Sequence, residues 1–280
     1  MEHIANLTLT PQAKWDAERK IAYLQSGAHG PVVVLLHGWG AFKELWWSTL
    51  CALAPHYRAY ALDMPGHAAS QVAGDWSMAG IAKCIADFCD GHGLKEICLV
   101  GHSMGGNIAL QLALSRPDLL RSLVLVDAVA DGQALPRYVG TYVHPTFGWP
   151  VLRFAKLIQS MLRPLGDLVP HMHGNGWVRP FLRRIAFSSR HDALNLHTLL
   201  RGMFANPLGE AARSLQIPSL VISGRFDSVV PASEARRIAS LLPNARYAEL
   251  PWAMHNPMDE TPAAFERLLL DFLRERSKAG

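Results

Sequence analysis

The sequence has few charged residues for its length and lacks any long, uninterrupted apolar run. Charged residues make up 18% of the 280 residues and hydrophobic residues make up 50%, which is enough apolar material for a large buried core. No segment reaches the roughly 18 consecutive apolar residues of a membrane-spanning helix. Residues 1–6 lack the basic stretch that opens a secretory signal peptide. We therefore expect a cytoplasmic protein without a membrane span.

Cysteine is scarce, and no pair of cysteines has C-x-x-C spacing. The four cysteines lie in apolar segments and are expected to be small buried side chains, not parts of a disulfide framework or zinc site; they are Cys51, Cys84, Cys89 and Cys98. Of the 13 histidines, only His171 and His173 are closely paired, in a Gly-rich stretch without a nearby Cys or Glu. We predict neither a metal nor another cofactor.

The motif G-x-S-x-G at residues 101–105 is the most informative feature that the sequence contains. An apolar run rich in β-formers, 97–100, precedes the motif, and a run of helix formers, 107–114, follows it. Ser103 is therefore predicted on a sharp strand-to-helix turn, which exposes a nucleophilic hydroxyl at the end of a sheet. Gly101 and Gly105 remove the Cβ atoms that would collide in such a turn.

Apolar strand-like runs alternate with helical patterns along most of the chain. Continuous apolar strands of this kind predict an α/β fold, with a mostly parallel central sheet covered by helices on both faces. Ligands of such sheets bind at the carboxyl ends of the strands. The strand-like runs are 31–36, 57–62, 97–100, 122–126, 218–223 and 246–250.

The strand signal is absent between residues 133 and 215. That segment has helical patterns broken by seven prolines, which predicts a helical cap over the strand ends. We expect a core made of 1–132 and 216–280 and a cap of 133–215. Between 134 and 214, ten Lys and Arg oppose three Asp and Glu, a net charge of +7 in a chain of +4. The positive charge is therefore local to the cap.

A nucleophilic serine needs a base and an orienting acid. In enzymes whose G-x-S-x-G serine lies on a strand-to-helix turn, the three residues follow one another along the chain as serine, acid and histidine. Asp227 follows the strand-like run that ends at 223, and His255 follows the run that ends at 250. Both should therefore lie at the sheet edge that presents Ser103. A rival acid is Asp127, which also follows a strand-like run. We favour Asp227 because its loop is the commoner source of the acid.

The oxyanion of a tetrahedral intermediate needs preorganised N–H donors. The residue after the nucleophile, Met104, offers one backbone N–H. The second should come from the loop His37-Gly38-Trp39-Gly40, where the glycines allow the N–H of Trp39 to point inward. The alternative is that this sequence is simply a tight turn. His102 is interpreted as a packing or hydrogen-bonding neighbour of the nucleophile.

The motifs H-G-W-G, D-M-P-G-H, G-H-S-M-G-G, G-R-F-D and H-N-P occur in this order and together resemble the α/β-hydrolase superfamily. Within it, the chain resembles small cap-bearing serine carboxylesterases such as the pimeloyl-carrier-protein methyl ester esterases of biotin synthesis. The resemblance implies a cofactor-independent hydrolase. Ser103 argues against the dehalogenase and epoxide hydrolase branches, whose nucleophile is an aspartate.

The predicted function is hydrolysis of a small-molecule carboxylic ester with an apolar acyl chain, through an acyl-enzyme. Alternatives with the same triad are a lactone, an amide, a thioester or a C–C bond beside a carbonyl. A hydrolase fold used as a non-catalytic receptor is another. No motif points to nucleic acid. The basic cap is either a solvated surface or a docking site for an acidic acyl carrier protein, with Arg179, Arg183 and Arg184 as its candidate residues.

Overall fold

The computed structural model describes residues 9–72, 74–167, 178–188 and 190–278. Its centre is a single sheet of eight strands. The strands are β1 (Gln12–Asp16), β2 (Ile21–Ser26), β3 (Val32–Leu36), β4 (Arg58–Leu62), β5 (Ile97–His102), β6 (Leu120–Val126), β7 (Ser219–Gly224) and β8 (Ala245–Leu250). Their order across the sheet is β1-β2-β4-β3-β5-β6-β7-β8. β1 pairs with β2 and β2 with β4 in antiparallel fashion, while the pairs from β4 to β8 are parallel.

Helices cover both faces of this sheet. They are α1 (Trp47–Leu53), α2 (Met78–Gly91), α3 (Met104–Ser115), α4 (Arg137–Val143), α5 (Gly148–Asp167), α6 (Val178–Ser188), α7 (Ala193–Phe204), α8 (Ala232–Leu241), α9 (Pro257–Glu260) and α10 (Pro262–Lys278). Short 3₁₀ helices span Lys43–Trp46, Pro117–Leu119, Gly132–Ala134 and Ala211–Ser214. Among the described residues, no helix combines the length and the apolar character needed to cross a bilayer.

The apolar residues form two cores, one on each face of the sheet. On one face α2, α3 and α8 pack against the strands, with Ile81, Ile108 and Ile238 fully buried. On the other face α1 and α10 do so through Leu50 and Phe265. β3, β5 and β7 are buried along their whole length, as expected of parallel strands covered on both sides. The predicted fold class is therefore confirmed.

Sequence patterns missed β1, β2 and α1. β1 is an edge strand whose first four side chains are exposed, so it carries no apolar run to recognise. Between β6 and β7, the described residues form α4 to α7 and two 3₁₀ helices. That arrangement places helices where the sequence predicted a cap, and the boundaries 133–215 stay a prediction.

The expectation of four buried cysteines holds for only part of the set. Cys89 and Cys98 are buried, and burial raises the pKa of each thiol to about 12. Cys84 is half-buried. Cys51 is exposed, so the prediction was wrong there: it lies on α1 at a helix position that faces solvent. All four thiols are free.

Candidate active site

Ser103 occupies the turn between β5 and α3. Its backbone angles, φ 54° and ψ −120°, lie in a region that residues other than glycine rarely adopt. The two flanking positions must be glycine, because a Cβ atom at either one would collide with the backbone. A Cβ on Gly101 would lie 2.4 Å from the carbonyl oxygen of Gly105, and a Cβ on Gly105 would lie 2.5 Å from that of His37. The strained turn that the motif predicts is therefore present.

A chain of two hydrogen bonds connects Ser103, His255 and Asp227. The hydroxyl Oγ of Ser103 lies 3.1 Å from Nε2 of His255. Nδ1 of the same ring lies 2.7 Å from Oδ2 of Asp227. A carboxylate only accepts, so Nδ1 carries the proton and donates it, and Nε2 is left as the acceptor for the serine hydroxyl. The structure thus brings together the three residues that were predicted from three separate strand ends.

Asp227 is held as a carboxylate. Its Oδ1 accepts hydrogen bonds from the backbone N–H groups of Val229 at 2.7 Å and Val230 at 3.0 Å. Burial acts to raise the pKa of Asp227, but the hydrogen bond and charge of His255 and these two N–H donors outweigh it and lower the pKa. Asp227 is therefore charged when it faces the imidazole.

Asp127, the rival acid, lies beside Asp227 and does not replace it. It follows β6 with a φ of 42°, is fully buried, and accepts a hydrogen bond from the N–H of Gly224 at 2.9 Å. Burial and the charge of Asp227 raise the pKa of Asp127 well above its usual value. Two adjacent carboxylates repel each other when both are charged. Asp127 is therefore the one of the two that keeps its proton.

His102 fixes the loop that carries His255. Its Nε2 lies 2.6 Å from the carbonyl oxygen of His255, and because a carbonyl only accepts, that nitrogen donates. Burial and the neighbouring His255 lower the pKa of His102 to about 3, so the ring is neutral. Its place in the site is the supporting one that the sequence indicated.

Trp39 and Met104, the two residues predicted to donate to the oxyanion, line the same cavity as Ser103, and their donor role stays a prediction. Met104 is the first residue of α3, so its N–H has no acceptor within the helix. The loop with Trp39 runs along the other side: a Cβ on Gly38 would lie 2.9 Å from the Cβ of Ser103. The indole Nε1 of Trp39 donates to the carbonyl of Leu196 at 2.7 Å, which ties this loop to α7.

Sequence analysis missed the side chains that hold these loops in place. His37 donates from Nδ1 to the carbonyl of Gly38 at 2.8 Å and accepts from the N–H of Met64 at 3.0 Å. Lys43 and Asp63 form a buried ion pair, Nζ to Oδ2, at 2.8 Å. The D-M-P-G-H segment therefore anchors the loop that begins at His37. The only sequence signal was that both motifs lie at neighbouring strand ends.

Two cavities meet at Ser103 and His255. The larger, of about 270 Å³, is lined mainly by apolar residues of the core and of α4 and α7. They are Trp39, Met104, Val129, Leu135, Tyr138, Val139, Tyr142, Leu200, Met203, Val229 and Val230. The smaller, of about 160 Å³, is more polar and includes Arg184, Ser188 and Asn256. The site thus has one apolar arm and one short polar arm.

Arg184, a candidate residue of the predicted docking surface, forms ion pairs within the molecule. Its guanidinium lies 3.3 Å from the carboxylate of Asp259 and 3.7 Å from that of Glu260. Glu260 in turn accepts the N–H of Met254 at 2.7 Å, next to His255. Arg184 therefore links α6 to the loop of the histidine. The side chains of Arg179 and Arg183, and the whole of His171 and His173, lie outside the described residues.

Among the side chains that the structure describes, one group has the spacing of a metal site. Asp127, Asp227 and His255 offer ligand atoms within 4.8 Å of one another. Both nitrogens of His255 are already engaged, one with Asp227 and one with Ser103. The group therefore fits proton sharing along a hydrogen-bonded chain better than metal binding.

Comparison with known proteins identifies the family of this chain. The profile of the alpha/beta hydrolase fold matches residues 31–262. The chain belongs to the α/β-hydrolase family. It is 27% identical over 249 residues to the pimeloyl-[acyl-carrier protein] methyl ester esterase of Yersinia pseudotuberculosis, covering 88% of this chain and 94% of that protein.

Two further similar proteins align with this chain over most of its length. A putative carbamate hydrolase of Pseudomonas savastanoi is 27% identical over 258 residues, with 89% of this chain and 96% of that protein covered. The crystal structure of a hydrolase from Pseudomonas aeruginosa superposes with a TM-score of 0.75 at 25% identity, covering 94% and 98% of the two chains. The predicted resemblance and the predicted α/β-hydrolase fold are confirmed.

Proposed function

We propose that this α/β-hydrolase is a serine esterase that cleaves a small-molecule carboxylic ester through an acyl-enzyme. The observation that carries the proposal is the hydrogen-bonded chain from Ser103 through His255 to Asp227 at the mouth of an apolar cavity. The esterase named among its relatives supports the same reaction type.

In the proposed acylation, Oγ of Ser103 attacks the ester carbonyl while its proton passes to Nε2 of His255. The carbonyl oxygen becomes an oxyanion, which the N–H groups of Trp39 and Met104 stabilise. Collapse of the intermediate breaks the bond to the alcohol oxygen, which takes the proton from Nε2. Asp227 stabilises the imidazolium that exists between these two transfers.

Deacylation repeats the sequence with water as the nucleophile. His255 takes a proton from water as the hydroxide adds to the acyl carbon, and it returns that proton to Ser103 when the carboxylic acid leaves. No redox partner or cofactor is needed, because each proton removed is given back within the cycle.

The two cavities divide the substrate between them. The apolar arm accommodates the acyl chain, and the short polar arm beside Arg184 and Ser188 accommodates the alcohol. The apolar arm has a volume of about 270 Å³, which suits an acyl chain of medium length. Among the aromatic residues of the cap, Tyr138 and Tyr142 line this arm, whereas Trp149, Phe154, Phe187 and Phe204 do not.

The experiment is a hydrolysis profile across p-nitrophenyl esters from acetate to palmitate, beside methyl esters, lactones, amides and thioesters. The proposal expects a maximum at medium chain length. Faster turnover of lactones than of every open ester would move the assignment to the lactonase alternative. Absence of turnover, together with absence of labelling by a fluorophosphonate, would favour a non-catalytic receptor.

We propose an acyl carrier protein as the carrier of that ester, because the cap carries +7 and the name of the esterase relative specifies a carrier-bound ester. The test replaces Arg179 and Arg183 together by Glu and leaves Arg184, whose ion pairs hold α6. The double variant should lower kcat/KM for a carrier-bound ester at low salt only. Equal loss on a small p-nitrophenyl ester would reject the docking role.

A further inference from the structure

Helix α5 presents an apolar face to solvent. Its large apolar side chains recur at intervals of three and four residues, which places them on one side of the helix. Phe154 is 64% exposed and Met161 is 74% exposed. The exposed set, with one residue that precedes the helix, is Phe147, Val151, Phe154, Leu157, Ile158, Met161 and Leu162.

The opposite face of α5 packs inward although it carries a cation. Leu152 is buried, and Nζ of Lys156 donates to the carbonyl of Ser188 in α6. Burial lowers the pKa of Lys156 to about 8. A helix on a globular protein ordinarily buries its apolar stripe and exposes its lysines. α5 does the reverse, so its outer face is a contiguous apolar surface of the kind that marks a binding site.

The charge around this face has one sign. From 132 to 166 the sequence contains no Asp or Glu. Of its four cations, Arg137, Arg153 and Arg163 are exposed, whereas Lys156 lies on the inward face of α5. The guanidinium of Arg153 lies over the ring of Trp149, 5.3 Å from its centroid, at the start of the helix. Exposed apolar residues beside Trp and Arg are the composition of helices that lie in a lipid headgroup region.

We propose that the outer face of α5 binds an anionic lipid bilayer, with its apolar side chains at the boundary between headgroups and acyl chains. A second copy of this chain is a poorer occupant, because a two-fold contact would bring two acid-free, cationic segments together. The cytoplasmic leaflet carries anionic lipids, which attract such a segment. Binding to a membrane surface is a property separate from the proposed esterase reaction.

The position of α5 would bring a bound bilayer close to the cavity proposed for the acyl chain. α5 packs against α4 and α7, and these two helices line the apolar cavity above Ser103. A bilayer bound to α5 therefore lies next to the helices that roof the acyl arm. Esters with apolar chains partition into such an interface.

The test is co-sedimentation of the full-length protein with vesicles of phosphatidylcholine alone and of phosphatidylcholine mixed with phosphatidylglycerol. The wild type should bind the mixed vesicles more strongly, and high salt should weaken that binding. The double variant Phe154→Ser with Met161→Ser should lower the partition coefficient by at least about tenfold, since each residue buries a large apolar side chain.

The matched control is Trp15→Ser, which removes another exposed aromatic side chain, 48% exposed, from the edge strand β1. It should keep wild-type vesicle binding. Both variants should hydrolyse a short, water-soluble p-nitrophenyl ester at the wild-type rate, which shows that they are folded. Three results would overturn the proposal: no vesicle binding, equal binding to both vesicle types, or a wild-type dimer that the double variant converts to a monomer.

Discussion

Asp127 and Asp227 lie side by side behind His255 but are held in opposite protonation states. Asp227 faces the imidazole and receives two backbone N–H groups, which lower its pKa. Asp127 receives one, is fully buried, and lies against the charge of Asp227, which raises its pKa. At the residue scale, the acid that serves the histidine is therefore decided by the hydrogen bonds each carboxyl receives.

Substitution of the two acids by Asn separates their roles. Asp227→Asn should lower kcat by about 10⁴-fold, because the amide cannot hold the imidazole in the correct tautomer or stabilise its charge. Asp127→Asn should stay within a few-fold of wild type, because the amide oxygen still accepts from Gly224 and the neutral amide, like the protonated carboxyl, places no second negative charge beside Asp227. The measurement is kcat on a p-nitrophenyl ester, with circular dichroism as the check on folding. The reverse ranking would assign the orienting role to Asp127.

The residues at the strand ends could be predicted from sequence, whereas their supports could not. Ser103, Asp227 and His255 each follow an apolar run, and parallel strands end at one edge, so their meeting follows from order alone. His37, Lys43 and Glu260 make contacts with partners whose distance depends on loop paths. No spacing along the chain encodes those contacts. The catalytic roles of the three strand-end residues stay predictions.

At the scale of elements, α4 and α7 decide the shape of the apolar arm. Val139 of α4 and Leu200 of α7 line it together with Val229 and Val230 of the core. The prolines and helical patterns of the segment predicted helices here, but not which face of each helix is turned toward Ser103. The apolar outer face of α5 was equally hidden, because a pattern at helical spacing does not say which side is buried.

Filling the apolar arm from the cap should shorten the preferred acyl chain. Val139→Phe adds bulk to the wall of the cavity, so turnover of long p-nitrophenyl esters should fall by about tenfold relative to the acetate. Leu194→Phe is the control, since Leu194 is an exposed residue of α7 outside the cavity lining. Both variants are compared by kcat/KM across the ester series. An unchanged profile in Val139→Phe would mean that the acyl chain binds elsewhere.

At the scale of the molecule, several histidines are buried as neutral rings. Burial lowers the pKa of His37 and of His102 to about 3, and that of His67 well below 6.5. In the unfolded chain these rings bind protons below pH about 6.5. The unfolded state then binds more protons than the native state, so the free energy of unfolding falls as pH falls.

Acidification should therefore destabilise the protein. Between about pH 7 and about pH 5, His37 and His102 each lower the free energy of unfolding by about 2 kcal/mol, and His67 acts in the same direction. Asp127 acts in the opposite sense, because it keeps a proton in the native state that the unfolded chain loses above its ordinary pKa. Urea unfolding at a series of pH values measures the sum, and His67→Gln should flatten the slope. A free energy of unfolding that stays level over this range would contradict the buried, neutral state of these rings.

The central claim is that Ser103 is acylated with the help of His255. The most direct measurement is intact-protein mass spectrometry with peptide mapping after exposure to a fluorophosphonate, paired with kcat on a p-nitrophenyl ester, for wild type, Ser103→Ala and His255→Ala. We predict labelling of wild type at Ser103, no labelling of Ser103→Ala, and a fall in kcat of about 10⁴-fold or more in both variants. Wild-type turnover by folded Ser103→Ala, or label on another residue, would contradict the account.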